Sequence, residues 1–251
     1  MRWLKSEAMS SIFQKELSAF FSSLIGYIVI GVFLTIMGLV VWVFPDTSLL
    51  NYQYATLNQL FDLAPIVFML LIPAITMRMF AEEQQSGTFE LLVTRPLTDL
   101  QIVLGKYLAT LVLVLFSLLP TVLYYYTVWE LGSPKGNIDS GAVLGSYIGL
   151  VFLAAAFSAI GIFASALSQN QIVAFILSVF LCFLIHWGFD FLSRLPVFVG
   201  KWDSLVEMLG MEYHYASVSR GLLDTRDLLY FLSIAAFFLA ATLIALDKRR
   251  W

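Results

Sequence analysis

With 251 residues, 60% of them hydrophobic and 12% charged, the chain carries about half the charged fraction of an ordinary soluble domain, which is roughly a quarter. That composition excludes a soluble globular protein. The net charge of −3 leaves no basic surplus to neutralise phosphates, so nucleic acid is excluded as a natural partner. One cysteine, Cys182, rules out an intrachain disulfide and a metal site built on paired thiolates.

In chain order, residues 1–22 come first. Ile12, Phe13, Leu17, Phe20 and Phe21 recur at helical spacing, with Lys15 and Glu16 between them and Trp3 and Leu4 one to two turns earlier. This is the pattern of an amphipathic helix lying in the membrane interface. It reads either as a simple anchor for the first span or as a lever against a partner. Six apolar stretches follow, near 24–44, 60–77, 103–125, 142–167, 172–192 and 228–246. At about 1.5 Å per residue each is long enough to cross a hydrocarbon core of about 30 Å as a helix. The first begins well in from the N-terminus and lacks a small-x-small cleavage site, so it is expected to be a retained span.

Between the second and third stretches, Gly87 can break a helix, and 88–93 forms a short helical turn with apolar Phe89, Leu91 and Leu92. Pro96 ends that turn, because the residue before a proline avoids the α region. Thr98 then starts a new helix, with Gln101 at capping-box spacing and Asp99 on the favourable side of the dipole. The loop is either a docking knob or only a tidy connection. The fourth stretch is rich in small residues, notably Gly141, Gly145, Gly149 and Gly161, which allow close helix approach in lipid. The fifth carries Ser178, Cys182, His186 and Asp190 at steps of four, a polar row suited to interhelical hydrogen bonds or to lining a transport path.

Residues 193–227 alternate apolar clusters with breaks at Pro196, Gly200, Gly210 and Gly221, which suits short helices re-entering the outer leaflet under protein cover. Within them, Met208, Met211 and His214 at steps of three are either soft copper ligands on one helix or the apolar face of an interfacial helix; no resident metal is expected. With both termini in the cytoplasm, nine Lys and Arg fall inside and five outside, which is the positive-inside arrangement. Residues 78–102 then face the cytoplasm and 193–227 the outside.

No repeat, linker or charge block divides the chain, so 1–251 is expected to be one transmembrane domain. Energy must come from another chain. The nearest approach to a P-loop, Gly105-Lys106-Tyr107, has Leu100 in place of the first glycine and Tyr107 in place of the Ser/Thr, so phosphate and magnesium cannot be held in that way. A polytopic enzyme is the contrasting class, but the two histidines stand apart at 186 and 214 and no H-E-x-x-H or G-x-S-x-G occurs. A structural anchor in a motility or secretion assembly is a third reading.

The residues also resemble a known family. Arg78 to Glu82, Gly87-Thr88-Phe89-Glu90-Leu91-Leu92, Pro96 and Gln101-Ile102-Val103-Leu104-Gly105-Lys106 are similar to the signature loop of ABC-2 type transporter permeases. Lys15-Glu16-Leu17 with Phe20, Phe21 and Tyr27 resembles that family's N-terminal interfacial helix, and 219–231 the segment entering its last span. Gln84 and Gln85 stand where charged residues are common. The resemblance is closest to gliding-motility-associated permeases. It implies a non-catalytic permease subunit of the bacterial cytoplasmic membrane, with ATP and magnesium held by a separate ATPase dimer and a second permease copy or related membrane subunit as partner. The ATPase contact is then expected at Glu82, Glu83, Gly87, Thr88, Phe89, Glu90, Leu91, Thr94, Arg95 and Pro96.

Overall fold

A computed structural model describes residues 2–51, 54–88, 97–198, 200 and 202–248, with 2–8 as backbone only. The chain is an all-α polytopic membrane protein. A helix, Arg2–Phe21, precedes six helical segments long and apolar enough to cross a membrane: span 1 Leu24–Val43, span 2 Asn58–Gln85, span 3 Asp99–Leu131, span 4 Ser140–Leu167, span 5 Gln171–Ser193 and span 6 Thr225–Lys248. Alternating direction puts the N-terminal helix, the end of span 2 and the start of span 3 at one end of the bundle, here the near end. The 194–224 connection lies at the far end.

Span 4 is the centre, packed against spans 2, 3, 5 and 6. It is the most enclosed of the six, and spans 1 and 6 are the least. Its small residues explain this. A Cβ on Gly161 would collide with Thr76 of span 2, and one on Gly149 with Val218, so glycine is what lets both neighbours lie against the span 4 backbone. Gly145 meets Gly221 in the same way. The small row is therefore used for packing within the chain.

Prolines open the spans, and side chains close the gaps. Pro65 has no N–H to offer the Phe61 carbonyl one turn back, and the Tyr215 hydroxyl donates to that carbonyl at 2.7 Å. Below Pro73, span 2 breaks at Met77 into Asn58–Thr76 and Arg78–Gln85. The Phe80 and Ala81 amides, at the new helix start, both donate to Ser165 Oγ of span 4 at 3.0 and 3.1 Å, while Ser165 donates to the Met77 carbonyl at 3.0 Å. Span 2 thus runs eight residues past its expected end at 77.

The expected capping box is present. Thr98 N donates to Gln101 Oε1 at 2.9 Å, Gln101 N donates to Thr98 Oγ1 at 3.4 Å, and span 3 starts at Asp99. Gly87 has φ +70 and follows the last residues of span 2, as a break requires. The expected turn at 88–93 lies outside the described residues except at Thr88. At the far end, two short helices, Asp203–Glu207 and Met211–Val218, bridge spans 5 and 6. The second buries Met211, His214, Tyr215 and Val218 against the bundle.

Candidate functional site

At the near end, three elements meet around one buried ammonium. Gly105 of span 3 is what brings the N-terminal helix in, because a Cβ there would lie 3.0 Å from Ile12 Cγ2. One turn beyond Ile12, Glu16 then reaches Lys106. Lys106 is 1% exposed, and its Nζ lies 2.7 Å from Glu16 Oε1, 3.0 Å from Glu83 Oε2 and 2.6 Å from the Met79 carbonyl. Two of the three N–H donors make hydrogen bonds, to Glu16 and the Met79 carbonyl, while Glu83 Oε2 is held as an ion partner without a hydrogen bond of its own among the described residues. The Phe80 ring lies 5.1 Å away. Lys15 adds the second cation, 2.7 Å from Glu83 Oε1 and 3.7 Å from Glu16 Oε1.

Two ammoniums and two carboxylates make the cluster neutral, which is the condition under which buried charge is tolerated. Partial burial works against the Lys15 charge, but Glu83 and Glu16 outweigh it and hold its pKa above the usual value. The inward face of the N-terminal helix is therefore not wholly apolar. Glu16 sits between buried Ile12 and Phe20 because it answers Lys106.

The cluster borders a small cleft of about 210 Å³ that reaches Arg78, Glu82, Ser86 and Thr88. Arg78 pairs with Glu82 at 3.2 Å and donates to Ser23 Oγ, the N-cap of span 1, at 3.3 Å. Thr88 is tied back to the end of span 2 through Ser86 Oγ at 2.9 Å and the Glu83 carbonyl at 3.4 Å. Of the expected docking residues, Glu82, Glu83, Gly87 and Thr88 thus gather beside the junction, whereas Phe89, Glu90, Leu91, Thr94, Arg95 and Pro96 lie outside the described residues. Lys15, Glu16 and Lys106 were not among the expected site residues. Their signal was a lysine inside an apolar run, which demands a partner.

The span 5 row divides. Ser178, Cys182 and His186 are fully enclosed, facing the chain's own spans 2 and 4. A step of four overshoots an α-turn by about 40°, and the π-helical turn Leu184–Gly188 slows that drift, so His186 stays inward. Asp190 departs from the row. It pairs with Arg194 one turn on, at 2.8 Å. His186 Nε2 is 2.8 Å from Glu212 Oε2, yet the contact is out of line for an N–H bond, and Nδ1 has no hydrogen-bond partner among the described residues. The His186 ring pulls the Glu212 pKa below its usual value, against the opposing effect of burial.

The copper reading of Met208, Met211 and His214 loses its geometry. The helix breaks between Glu207 and Met211, so the three do not share a face. Both ring nitrogens of His214 are engaged, Nδ1 with Asp227 Oδ1 at 2.7 Å and Nε2 with the Met208 carbonyl at 3.0 Å, and Tyr230 stacks on the ring at 3.9 Å.

Residues 42–196 match the family model described as ABC-2 family transporter protein. No curated protein matches the chain. The matched segment is more than half of the sequence and spans the end of span 1 to the end of span 5, so the chain belongs to the ABC-2 transporter family.

Proposed function

From that membership, we propose that the chain is the membrane-spanning permease subunit of an ATP-binding-cassette exporter, driven by a separate ATPase dimer that docks on residues 78–102. In this reading the near end and both termini face the cytoplasm, 193–227 face outside, and 1–251 act as one transmembrane domain beside a second permease copy or a related membrane subunit. ATP and magnesium belong to the partner chain. This chain binds, orients and moves.

One observation carries the proposal: the Lys106–Glu16–Glu83–Lys15 junction ties the N-terminal helix to spans 2 and 3 where the 86–98 connection leaves and re-enters the bundle. A push on that connection reaches both spans and the N-terminal helix together, since withdrawing span 2 or span 3 would leave Glu83 or Lys106 with its charge uncompensated, and withdrawing the N-terminal helix would strip the buried Lys106 of its Glu16 hydrogen bond. The gliding-motility assignment is the finer part of the reading and rests on the sequence resemblance.

Copurification tests it. Glu90→Lys or Phe89→Asp should reduce recovery of the ATPase with the tagged permease while membrane insertion is unchanged. Undiminished recovery removes the docking claim. Sidedness is tested separately in a Cys182-free background: an impermeant thiol reagent should label a cysteine at 203 and spare one at 85, and the reverse pattern inverts the topology.

A further inference from the structure

Two adjoining cavities at the far end hold chemistry that the coupling proposal leaves unused. The inner one, about 380 Å³, lies between the start of span 2, the π turn of span 5 and the helix Met211–Val218, with Asp62, His186, Glu212 and Arg220 in its walls. The outer one, about 1010 Å³, shares Trp187, Glu212 and Arg220 with it. His186 faces the inner cavity with no exposed surface and with an Nδ1 that no described residue satisfies. A buried polar atom without a partner, beside a cavity, marks a place built to meet a polar group from outside the chain.

The outer cavity opens sideways. Phe183 and Phe191 line it and are 42% and 53% exposed on the flank of span 5 that no other span covers. Their rings lie 6.2 Å apart, so together they form one apolar wall of the cleft on the flank of span 5 that would face the hydrocarbon. Apolar along that flank and charged at its mouth, it fits an amphiphile rather than a wholly soluble solute.

The charges then select the head group. Five carboxylates line the outer cavity against three guanidiniums. Asp190 is closed by Arg194 and Asp227 by His214, which leaves Glu207, Glu212 and Asp224 facing Arg220 and Arg226. A net-anionic head group would meet a surplus of carboxylates. A trimethylammonium group offers no N–H to carboxylate oxygens. A primary ammonium joined to a phosphate meets both signs, with the phosphate on the arginines and the ammonium on the carboxylates.

We propose that this cleft is a lipid site for a phospholipid with a primary-ammonium zwitterionic head group, its acyl chain along Phe183 and Phe191, its phosphate against Arg220 and Arg226, and its ammonium towards Glu207 and Glu212 with His186 behind them. The site lies at the opposite end from the ATPase contact and stands whether or not that contact does.

The test uses the delipidated full chain in detergent, mixed with equimolar dioleoyl phosphatidylethanolamine, phosphatidylcholine and phosphatidylglycerol, with retained lipid read by native mass spectrometry. The ethanolamine lipid should be retained about tenfold over each of the others, the size of one charge-assisted hydrogen bond. Glu207→Gln with Glu212→Gln should abolish the preference, since only the ammonium distinguishes the three lipids, whereas Arg220→Gln alone, at an exposed position, should lower retention of all three, since they share the phosphate. Equal retention of the three lipids, another order among them, or an unchanged preference in the double variant overturns the proposal. So does displacement of the bound lipid by free O-phosphoethanolamine, which would assign the cleft to a soluble solute.

Discussion

The two ends of the bundle handle charge in opposite ways. At the near end, Lys106 is closed on three sides by Glu16, Glu83 and the Met79 carbonyl, and the charges cancel within one compact cluster. At the far end, His186 meets Glu212 out of line, Glu212 remains 40% exposed, and two cavities adjoin the pair. A closed cluster transmits force because none of its members can leave alone. An open one can exchange its partners with a ligand.

The comparison breaks most sharply at Lys106. Lys106→Met should cost about 3–5 kcal/mol, because it leaves Glu16 and Glu83 facing each other with only Lys15 between them, and thermal unfolding in detergent reads this directly. Adding Glu16→Gln and Glu83→Gln to Lys106→Met should recover much of the loss. His186→Leu should cost far less, since the Glu212 it leaves behind reaches solvent. If the two single variants lose stability equally, the two ends do not differ as described.

Next in size is the seat of the far-end helix. Gly149→Leu drives a side chain into Val218 and should lower stability by about 1–3 kcal/mol, the usual range for overpacking. Gly31→Leu, where a Cβ meets nothing within 4 Å, is the control that should not. Smaller again, Tyr215→Phe removes the donor to the Phe61 carbonyl and should cost about 0.6 kcal/mol, the average for such bonds within membranes.

The smallest effects are in pH. Glu212 titrates below its usual 4.5, so it binds fewer protons folded than unfolded. Its contribution is present above 4.5 and is lost as pH falls through the lowered value. Lys15 titrates above 10.5, and its contribution is present below that and is lost as pH rises through the raised value. Glu212→Gln should therefore flatten the acid limb of a stability profile and leave the alkaline limb alone. Lys15→Gln should do the reverse, weakly, because half of the Lys15 side chain is in solvent.

What was legible and what was not follows from the range of each interaction. The capping box of Thr98 and Gln101, the break at Gly87 and the six apolar runs are local, set by residues within a turn or two of one another. Small residues in span 4 announced close approach but not what would approach. Only the fold brings Val218 to Gly149 and Thr76 to Gly161. The junction was hidden for the same reason. Lys106 meets Glu16 across 90 residues and Lys15 meets Glu83 across 68, and no periodicity reports a pair that far apart. A single π turn at His186 was equally invisible, because one slowed step leaves no mark on a pattern of side chains.

The sequence by itself determined an all-α membrane protein, six spans and the ends of most of them, because backbone hydrogen bonding in lipid permits little other than a helix wherever the apolar run is long enough. Tertiary structure alone decided which charge answers Lys106, which face of span 5 turns inward and where cavities remain, because charge pairing and packing depend on distance in space and not on separation along the chain.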